Sequence, residues 1–487
     1  MSKTRLEINI ENPQLYTTGD TVRGSVQLIV EDQLDLQYLD VELLGIAKSR
    51  NHTTNNGSYT TGAETHKLIQ LTSRAFPPPE VQGNLSSKRF TLTKGEYAYP
   101  FEFTFPDKSH VAQCVQDKKF FHSKYYLSKD KRDTVALVGS FFHQEANPDD
   151  YCRVHYSVNA KVGTPLFHFS IKDSVPVFFA PRNSEIVYSL RHLSDRSRNL
   201  LDDTDHTFSR VKYSIDDEAK EKKGSFMRLF TSNSVKVPFE LRVRFKEECR
   251  IDTERGTTCR VLEGGKRLSS LVDLDLLTSF SNDNLLDALG VNRAKSGSTK
   301  PPTVKITHVK VKIIQLMRFL GATETYSEEK FEILNQDLDV EVPFSDFERT
   351  EDEASELYDR SPSKYQDKVD RRICYRLSLD PSWWDCYIHD IGQSFLTCSI
   401  RKNVNLYIRL TLVSTDEPEK EIKIKSTSPV VFLRQEGSEG LVPFLEGENA
   451  EPLPEYMPAP PGYESEEEDE NKDEKKSKIF SLKKTKS

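Results

Sequence analysis

Lys94-Gly95-Glu96-Tyr97-Ala98-Tyr99-Pro100-Phe101-Glu102-Phe103-Thr104-Phe105-Pro106 is the stretch whose reading decides the fold of this 487-residue chain. Aromatic side chains fall at 97, 99, 101, 103 and 105. A strict period of two sets all five on one face of a β-strand, where they can be buried together. Pro100 and Pro106 lack the N–H that a central strand donates, so the spacing predicts a sheet edge or a bend.

Working outward, the flanks repeat the two-residue period. Upstream, Leu6-Glu7-Ile8-Asn9-Ile10, Val22-Arg23-Gly24-Ser25-Val26-Gln27-Leu28 and Leu39-Asp40-Val41-Glu42-Leu43 read as strands with one buried face. Thr18-Gly19-Asp20 marks a turn. Residues 50–66, rich in Asn, Thr, Gly and Ser, read as a hairpin tip, with a strand resuming at Lys67 and interrupted by Phe76-Pro77-Pro78-Pro79. Downstream, Val154-His155-Tyr156-Ser157-Val158-Asn159-Ala160-Lys161-Val162 alternates cleanly, and Val175-Pro176-Val177-Phe178-Phe179 closes the block. Residues 183–233 are charged and poor in strand pattern, as expected of a connection with an inserted loop.

A second β block opens at Val235-Lys236-Val237-Pro238-Phe239. Its longest alternating run, Val304–Ile313, is apolar on one face and basic on the other. Residues 283–303 and 347–370 read as polar insertions, and Trp383-Trp384 as a packing anchor. Ser394–Ile400, Val404–Leu412, Ile422–Lys425 and Pro429–Leu433 finish the block.

The tail has a different character. Five prolines in Pro452–Tyr463 exclude helix and central strand and leave an extended polyproline II rod. It contains Leu453-Pro454-Glu455-Tyr456, an LPxY sequence, and Pro460-Pro461-Gly462-Tyr463, a PPxY sequence. In such motifs the prolines stack on the rings of a WW domain and the tyrosine enters a neighbouring pocket. At ~3.1 Å per residue the two tyrosines lie about 22 Å apart, room for two small modules at once.

These features together resemble the α-arrestins, the arrestin-related trafficking adaptors of fungal type. The family signature G-x-Y-x-Y-P-F-x-F-x-x-P is matched by Gly95, Tyr97, Tyr99, Pro100, Phe101, Phe103 and Pro106. The strand that follows it in the family is matched by Val154, Tyr156, Val158, Ala160 and Val162. A partial match to the family's late turn falls at Ser394, Phe395, Thr397 and Ile400, without the preceding proline. The resemblance implies an all-β chain: an arrestin-like N-domain over 1–182, a connection over 183–233, an arrestin-like C-domain over 234–436 and a disordered tail over 437–487. It also implies an adaptor. The sandwiches would select a membrane transporter or receptor by its cytosolic segments. Leu453, Pro454, Tyr456, Pro460, Pro461 and Tyr463 would recruit a WW-domain HECT-type ubiquitin ligase, and ubiquitin would mark the cargo and this chain. Two other readings stay open: an arrestin-fold sorting subunit like that of retromer, and a signalling scaffold acting without the ligase.

Composition narrows the classes. A net charge of −8 argues against nucleic acid as the partner of the whole chain. Met1–Glu7 has no apolar core, so no signal peptide is expected, and no apolar run approaches membrane-spanning length. Seven scattered cysteines without CxxC spacing read as reduced thiols of a cytoplasmic protein, and the resemblance to the α-arrestins implies recruitment to plasma membrane and endosomes. No catalytic motif and no metal-ligand spacing is present, so neither enzymatic activity nor a cofactor is expected.

Two basic stretches are candidate contacts. Lys118, Lys119, Lys124, Lys129, Lys131 and Arg132 are interleaved with aromatics, which suits acidic cargo segments or an anionic membrane surface. Lys475, Lys476, Lys478, Lys483 and Lys484 surround three apolar residues and suit a peripheral membrane tether. A mostly acidic run, Glu464–Glu474, precedes them.

Overall fold

A computed structural model describes residues 4–11, 15–55, 58–78, 89–106, 136–164, 171–192, 207–208, 210–215, 235–252, 258–289, 302–350, 374–397, 399–413 and 421–435. One compact unit, Met1–Glu439, holds all of them. The WW-binding motifs and both basic stretches, Lys118–Arg132 and Lys475–Lys484, lie outside the described residues.

The N-terminal half is built from β1 (Arg5–Ile10), β2 (Leu15–Tyr16), β3 (Thr21–Leu36), β4 (Tyr38–Asn55), β5 (Ser58–Phe76), β6 (Phe90–Thr104), β7 (Phe141–Gln144), β8 (Tyr151–Gly163) and β9 (Ile171–Phe179). One sheet runs β1-β3-β6 and the other β2-β9-β8-β4-β5, with β7 beside β8. The strand that carries the aromatic period is β6, and among the described residues it is an edge, hydrogen-bonded to β3 alone, with Pro100 opposite Ser25. An edge strand can give up a ladder donor, which is why proline is tolerated there. Its odd-numbered side chains face the core as the period predicts. Phe101, Phe103 and, just beyond the strand, Phe105 are buried, while Tyr97 and Tyr99 pack half-buried against them. Phe105 stacks on Phe179 at 4.6 Å and meets the edge of Tyr156 at 5.7 Å. The Tyr156 hydroxyl donates to the Val138 carbonyl, so the ring is buried without stranding its polar end.

The 50–66 stretch is the outer end of the β4–β5 hairpin, as expected, with one correction. It is paired strand almost to its tip, with register running from Arg50 opposite Ala63 to Asn55 opposite Ser58. Its threonines are β-branched and pair across the hairpin, Thr53 opposite Thr60, so a polar composition did not mean a loop.

Helix α1 (Asn183–His192) then crosses to the second half. Ile186, Val187 and Leu190 pack on Ile251, Cys259, Val261, Val431 and Leu433. The segment read as a connection therefore carries a short helix of its own.

The C-terminal half holds β10 (Thr207–Phe208), β11 (Arg210–Ile215), β12 (Val235–Phe245), β13 (Arg250–Asp252), β14 (Thr258–Glu263), β15 (Val272–Thr278), α2 (Asn282–Leu289), β16 (Thr303–Leu320), β17 (Glu324–Pro343), β18 (Glu348–Thr350), β19 (Cys374–Ser378), β20 (Phe395–Leu396), β21 (Ile400–Val413) and β22 (Glu421–Leu433). Its larger sheet runs β13-β14-β22-β21-β16-β17, and its smaller one β11-β12-β15-β19-β18. The strands β10 and β11, which precede residue 234, pair with β22 and β12. Trp384 is buried, and its indole N–H donates to the Leu379 carbonyl at 3.2 Å, as an anchor should.

The strand β16 serves both halves. At 18 residues it spans about 60 Å. Val304, Ile306, Val309, Val311 and Ile313 enter the C-terminal core, whereas Met317 and Phe319 join the N-terminal one with Phe395 and Ile400.

Candidate anion-binding surface

The two halves meet at the outer end of the β4–β5 hairpin. On one face of β4, Ser49 and Asn51 are buried against the turn between β16 and β17. The Asn51 amide donates to the Thr323 carbonyl at 2.5 Å and to Thr325 Oγ1 at 2.6 Å, and its oxygen accepts from Ala322 N at 2.6 Å. The backbones approach so closely that only glycine fits. A Cβ on Gly62 would run into the Ala322 nitrogen, and one on Gly321 into Asn51 Oδ1.

Deeper in this seam lies Lys402, 1 % exposed. Its ammonium donates to the Ile391 and Gly392 carbonyls and sits 5.2 Å from the centre of the Phe141 ring. Burial pushes it down to about 7, against the opposing pull of Asp390, Glu329 and Cys152. Ser394 and Thr397, picked out in the sequence, form the turn beside it. The Ser394 N–H donates to the Phe432 carbonyl, Ser394 Oγ accepts from Phe432 N, and Thr397 Oγ1 accepts from Ile400 N.

The other face of β4 is unlike the first. Alternation turns Lys48 and Arg50 away from the seam. Register sets Lys48 opposite Arg153, Arg50 opposite Tyr151 and Ile46 opposite His155 on β8. On the far side of β4, Lys67 of β5 is opposite Ile46. Directly opposite residues stand ~5 Å apart and share a face, so these side chains form one cluster. The Arg153 guanidinium lies 5.7 Å from the centre of the Tyr151 ring.

Three nitrogens in this cluster are buried with no hydrogen-bond partner among the described residues: Arg50 Nε, Arg153 Nε and His155 Nδ1. Buried donors of this kind are normally satisfied, so each calls for an acceptor from outside. The described turn between β7 and β8 at this end of the sheet carries Glu145, Asp149 and Asp150. Glu145 contacts His143 Nε2 at 3.1 Å, and Asp150 accepts from the His52 backbone at 2.8 Å, contacts His52 Nδ1 at 2.7 Å and accepts from Asn147 Nδ2 at 3.3 Å. His155 records the imbalance. Burial, then Arg153 and Lys48, push its imidazole down to about 4. The ring is therefore neutral near pH 7, and its unpartnered Nδ1 faces a cationic neighbourhood.

An arrangement of this kind binds oxyanions. Several donors and fixed cations converge, partly withdrawn from water, where charge-assisted hydrogen bonds are strongest. Lys48 and Arg50 along β4, with Arg153 beside them on β8, stand at strand spacing and suit an extended chain bearing several carboxylates better than a single small ion.

None of these four residues was singled out from the sequence. Lys48-x-Arg50 and Arg153-x-His155 each show cations alternating on a strand, which is a readable signal. That the two pairs meet is not readable locally. The basic stretch 118–132 lies in the connection between β6 and β7, and β7 pairs with β8 so that Phe142 is opposite Arg153.

The described thiols offer no chemistry. Cys152, Cys249, Cys259 and Cys386 are free and buried. Burial pushes Cys249 and Cys259 up to about 11, Cys386 up to about 12, and Cys152 higher still, far from the thiolate a nucleophile needs.

Residues 5–178 match the arrestin (or S-antigen) N-terminal domain family. Among curated proteins, an arrestin-related trafficking adapter 10 from Lachancea thermotolerans is 31% identical over 125 residues, covering 23% of this chain and 29% of that protein. An arrestin-related trafficking adapter 10 from Candida glabrata is 28% identical over 104 residues, covering 19% of this chain and 21% of that one. The matched stretch thus spans less than a third of either relative's length.

Proposed function

This chain belongs to the α-arrestin, or arrestin-related trafficking adaptor, family, and from that premise we propose that it joins a ubiquitin ligase to a membrane protein. The cationic face of Lys48, Arg50, Arg153 and His155 takes an acidic cytosolic segment of a transporter or receptor. The basic stretch Lys118–Arg132, between β6 and β7 in the sequence, adds to that contact. In the tail, Pro460, Pro461 and Tyr463, helped by Leu453, Pro454 and Tyr456, engage WW domains of a HECT-type ligase. Lys475–Lys484 add a weak hold on anionic lipid.

The mechanism is effective concentration. Holding ligase and cargo on one chain turns ubiquitin transfer into a local event, with no bond made or broken by this chain itself. Ubiquitinated cargo is then internalised and degraded, which sets the site of action on the cytosolic side of plasma membrane and endosomes. What supports this reading is that one chain combines an uncompensated cationic sheet face with two proline–tyrosine motifs.

The test is a pulldown from lysate with the full chain and with a Pro461→Ala/Tyr456→Ala/Tyr463→Ala variant. The wild type is expected to recover a WW-domain ligase and to carry ubiquitin, and the variant to lose both. Equal recovery by the two would remove the ligase from the mechanism and leave a sorting or scaffold protein.

A further inference from the structure

We propose that the cationic face of β4 and β8 takes up a proton together with its anion: an acidic segment seated on Lys48, Arg50 and Arg153 protonates His155, so the grip tightens as the pH falls. This rests on reading that face as the anion-binding surface.

Geometry makes the coupling direct. His155 sits two residues from Arg153 on the same face of β8, and its cross-strand partner Ile46 is two residues from Lys48. The charged groups nearest His155 on this face are cations: Lys48 and Arg50 on β4, Lys67 on β5 and Arg153 on β8, with His52 farther along β4 paired to Asp150. Toward the other end of the same face, Glu42 accepts from Gln70 and Asn159, and Asp40, opposite Lys161, pairs with Arg74. The adjacent β7 contributes Phe142 and Gln144, without charge. The neighbouring cations disfavour a charge on the ring, and His155 Nδ1 has no hydrogen-bond partner among the described residues.

An incoming row of carboxylates reverses both conditions. It neutralises the cations that oppose protonation, and it brings acceptors that a protonated Nδ1 can donate to. The imidazole is held at about 4 by burial first and by Arg153 and Lys48 second; the neutralised cations and the new acceptor together outweigh that burial and raise it in the complex. By linkage, affinity gains up to tenfold per pH unit as pH falls below the value in the complex, until the free-state value is reached. Above the value in the complex the affinity is flat, because the ring is neutral in both states.

The direction is diagnostic. Protonation of the peptide's own carboxylates would weaken binding as pH falls, the opposite slope. Lys402, the other described group moved into this range, lies in the seam on the opposite face of the sheet. A dependence that comes from Lys402 would persist when His155 is replaced.

The experiment titrates the full chain with hexa-aspartate by calorimetry at pH 5.5, 6.5 and 7.5, each in two buffers of different ionisation heat. The wild type is expected to bind several-fold to tenfold more tightly at pH 5.5 than at 7.5, with up to one proton taken up per peptide. His155→Asn should lose both the rise and the proton. A second readout needs no variant: the His155 ring resonance should titrate at higher pH with peptide than without. Binding with no proton uptake, or a rise that persists in His155→Asn, overturns the proposal and leaves the surface intact. No binding at any pH, or binding unaffected by Lys48→Glu/Arg153→Glu, overturns the surface and the proposal together.

Discussion

Along β16 in the C-terminal half, Lys305, Lys310, Lys312 and Arg318 form a row of cations, and β17 supplies a carboxylate to each: Asp339 to Lys305 at 2.7 Å, Glu332 to both Lys310 and Lys312, and Glu324 to Arg318. In the N-terminal half, Lys48, Arg50 and Arg153 form a similar row across β4 and β8, and the cross-strand positions hold Tyr151, Ala63 and Thr65 instead. The local sequences look alike, with cations alternating against buried residues. The neighbours differ. A charged β17 also serves as a guarded edge, since it pairs with β16 alone among the described residues. One row is therefore spent on holding a hairpin together in water, and the other is left for a ligand.

The most direct way to break this comparison is charge reversal. Lys48→Glu/Arg153→Glu should weaken hexa-aspartate binding about 100-fold or more, because two charge-assisted contacts are lost and two repulsions added. Calorimetry at pH 6.5 reads it. Unchanged affinity would show that the N-terminal row is as idle as the C-terminal one.

A subtler change makes the N-terminal face resemble the C-terminal. Ala63→Glu places a carboxylate opposite Arg50 on an exposed position of β5. It should lower hexa-aspartate affinity about threefold to tenfold while leaving the fold unchanged. Stronger binding in this variant would contradict the assignment of the face.

The smallest effect is expected from Glu332→Gln. Hydrogen bonding by Lys310 holds the Glu332 carboxyl below its ordinary range, with Lys312 adding to it. A lowered carboxylate contributes stability above its unfolded value of about 4.3 and loses it as pH falls through the folded value. The Glu332 carboxylate is exposed to solvent although Lys310 is largely covered, so thermal unfolding at pH 7 should move little, and the small difference should vanish in acid. A large drop in the unfolding midpoint at pH 7 would mean that the β16–β17 pair depends on its ion pairs far more than exposed pairs do.

Much of the architecture was legible beforehand, and particular residues show why. The odd-numbered aromatics of 97–105 face the core because a strand has a period of two whatever surrounds it. Pro100 marks an edge because it has no N–H. Residues 50–66 misled, since a polar composition describes exposure and not pairing. The helix α1 was missed because its apolar contacts are confined to Ile186, Val187 and Leu190, too few for a periodic signal.

The sequence by itself determined the strands, their faces, the edge position of β6 and the proline–tyrosine motifs, because each follows from the covalent geometry of a few consecutive residues. Only the tertiary structure decided which charges meet. Lys48 and Arg153 are about a hundred positions apart, and so are Lys310 and Arg409, which also face one another across a strand pair. Strand order and register bring such pairs together, and both are settled by the packing of a whole core, in which every strand must turn its apolar face inward at once. The same requirement paired the cations of β16 with β17 and left Lys48, Arg50 and Arg153 of β4 and β8 without a carboxylate directly opposite.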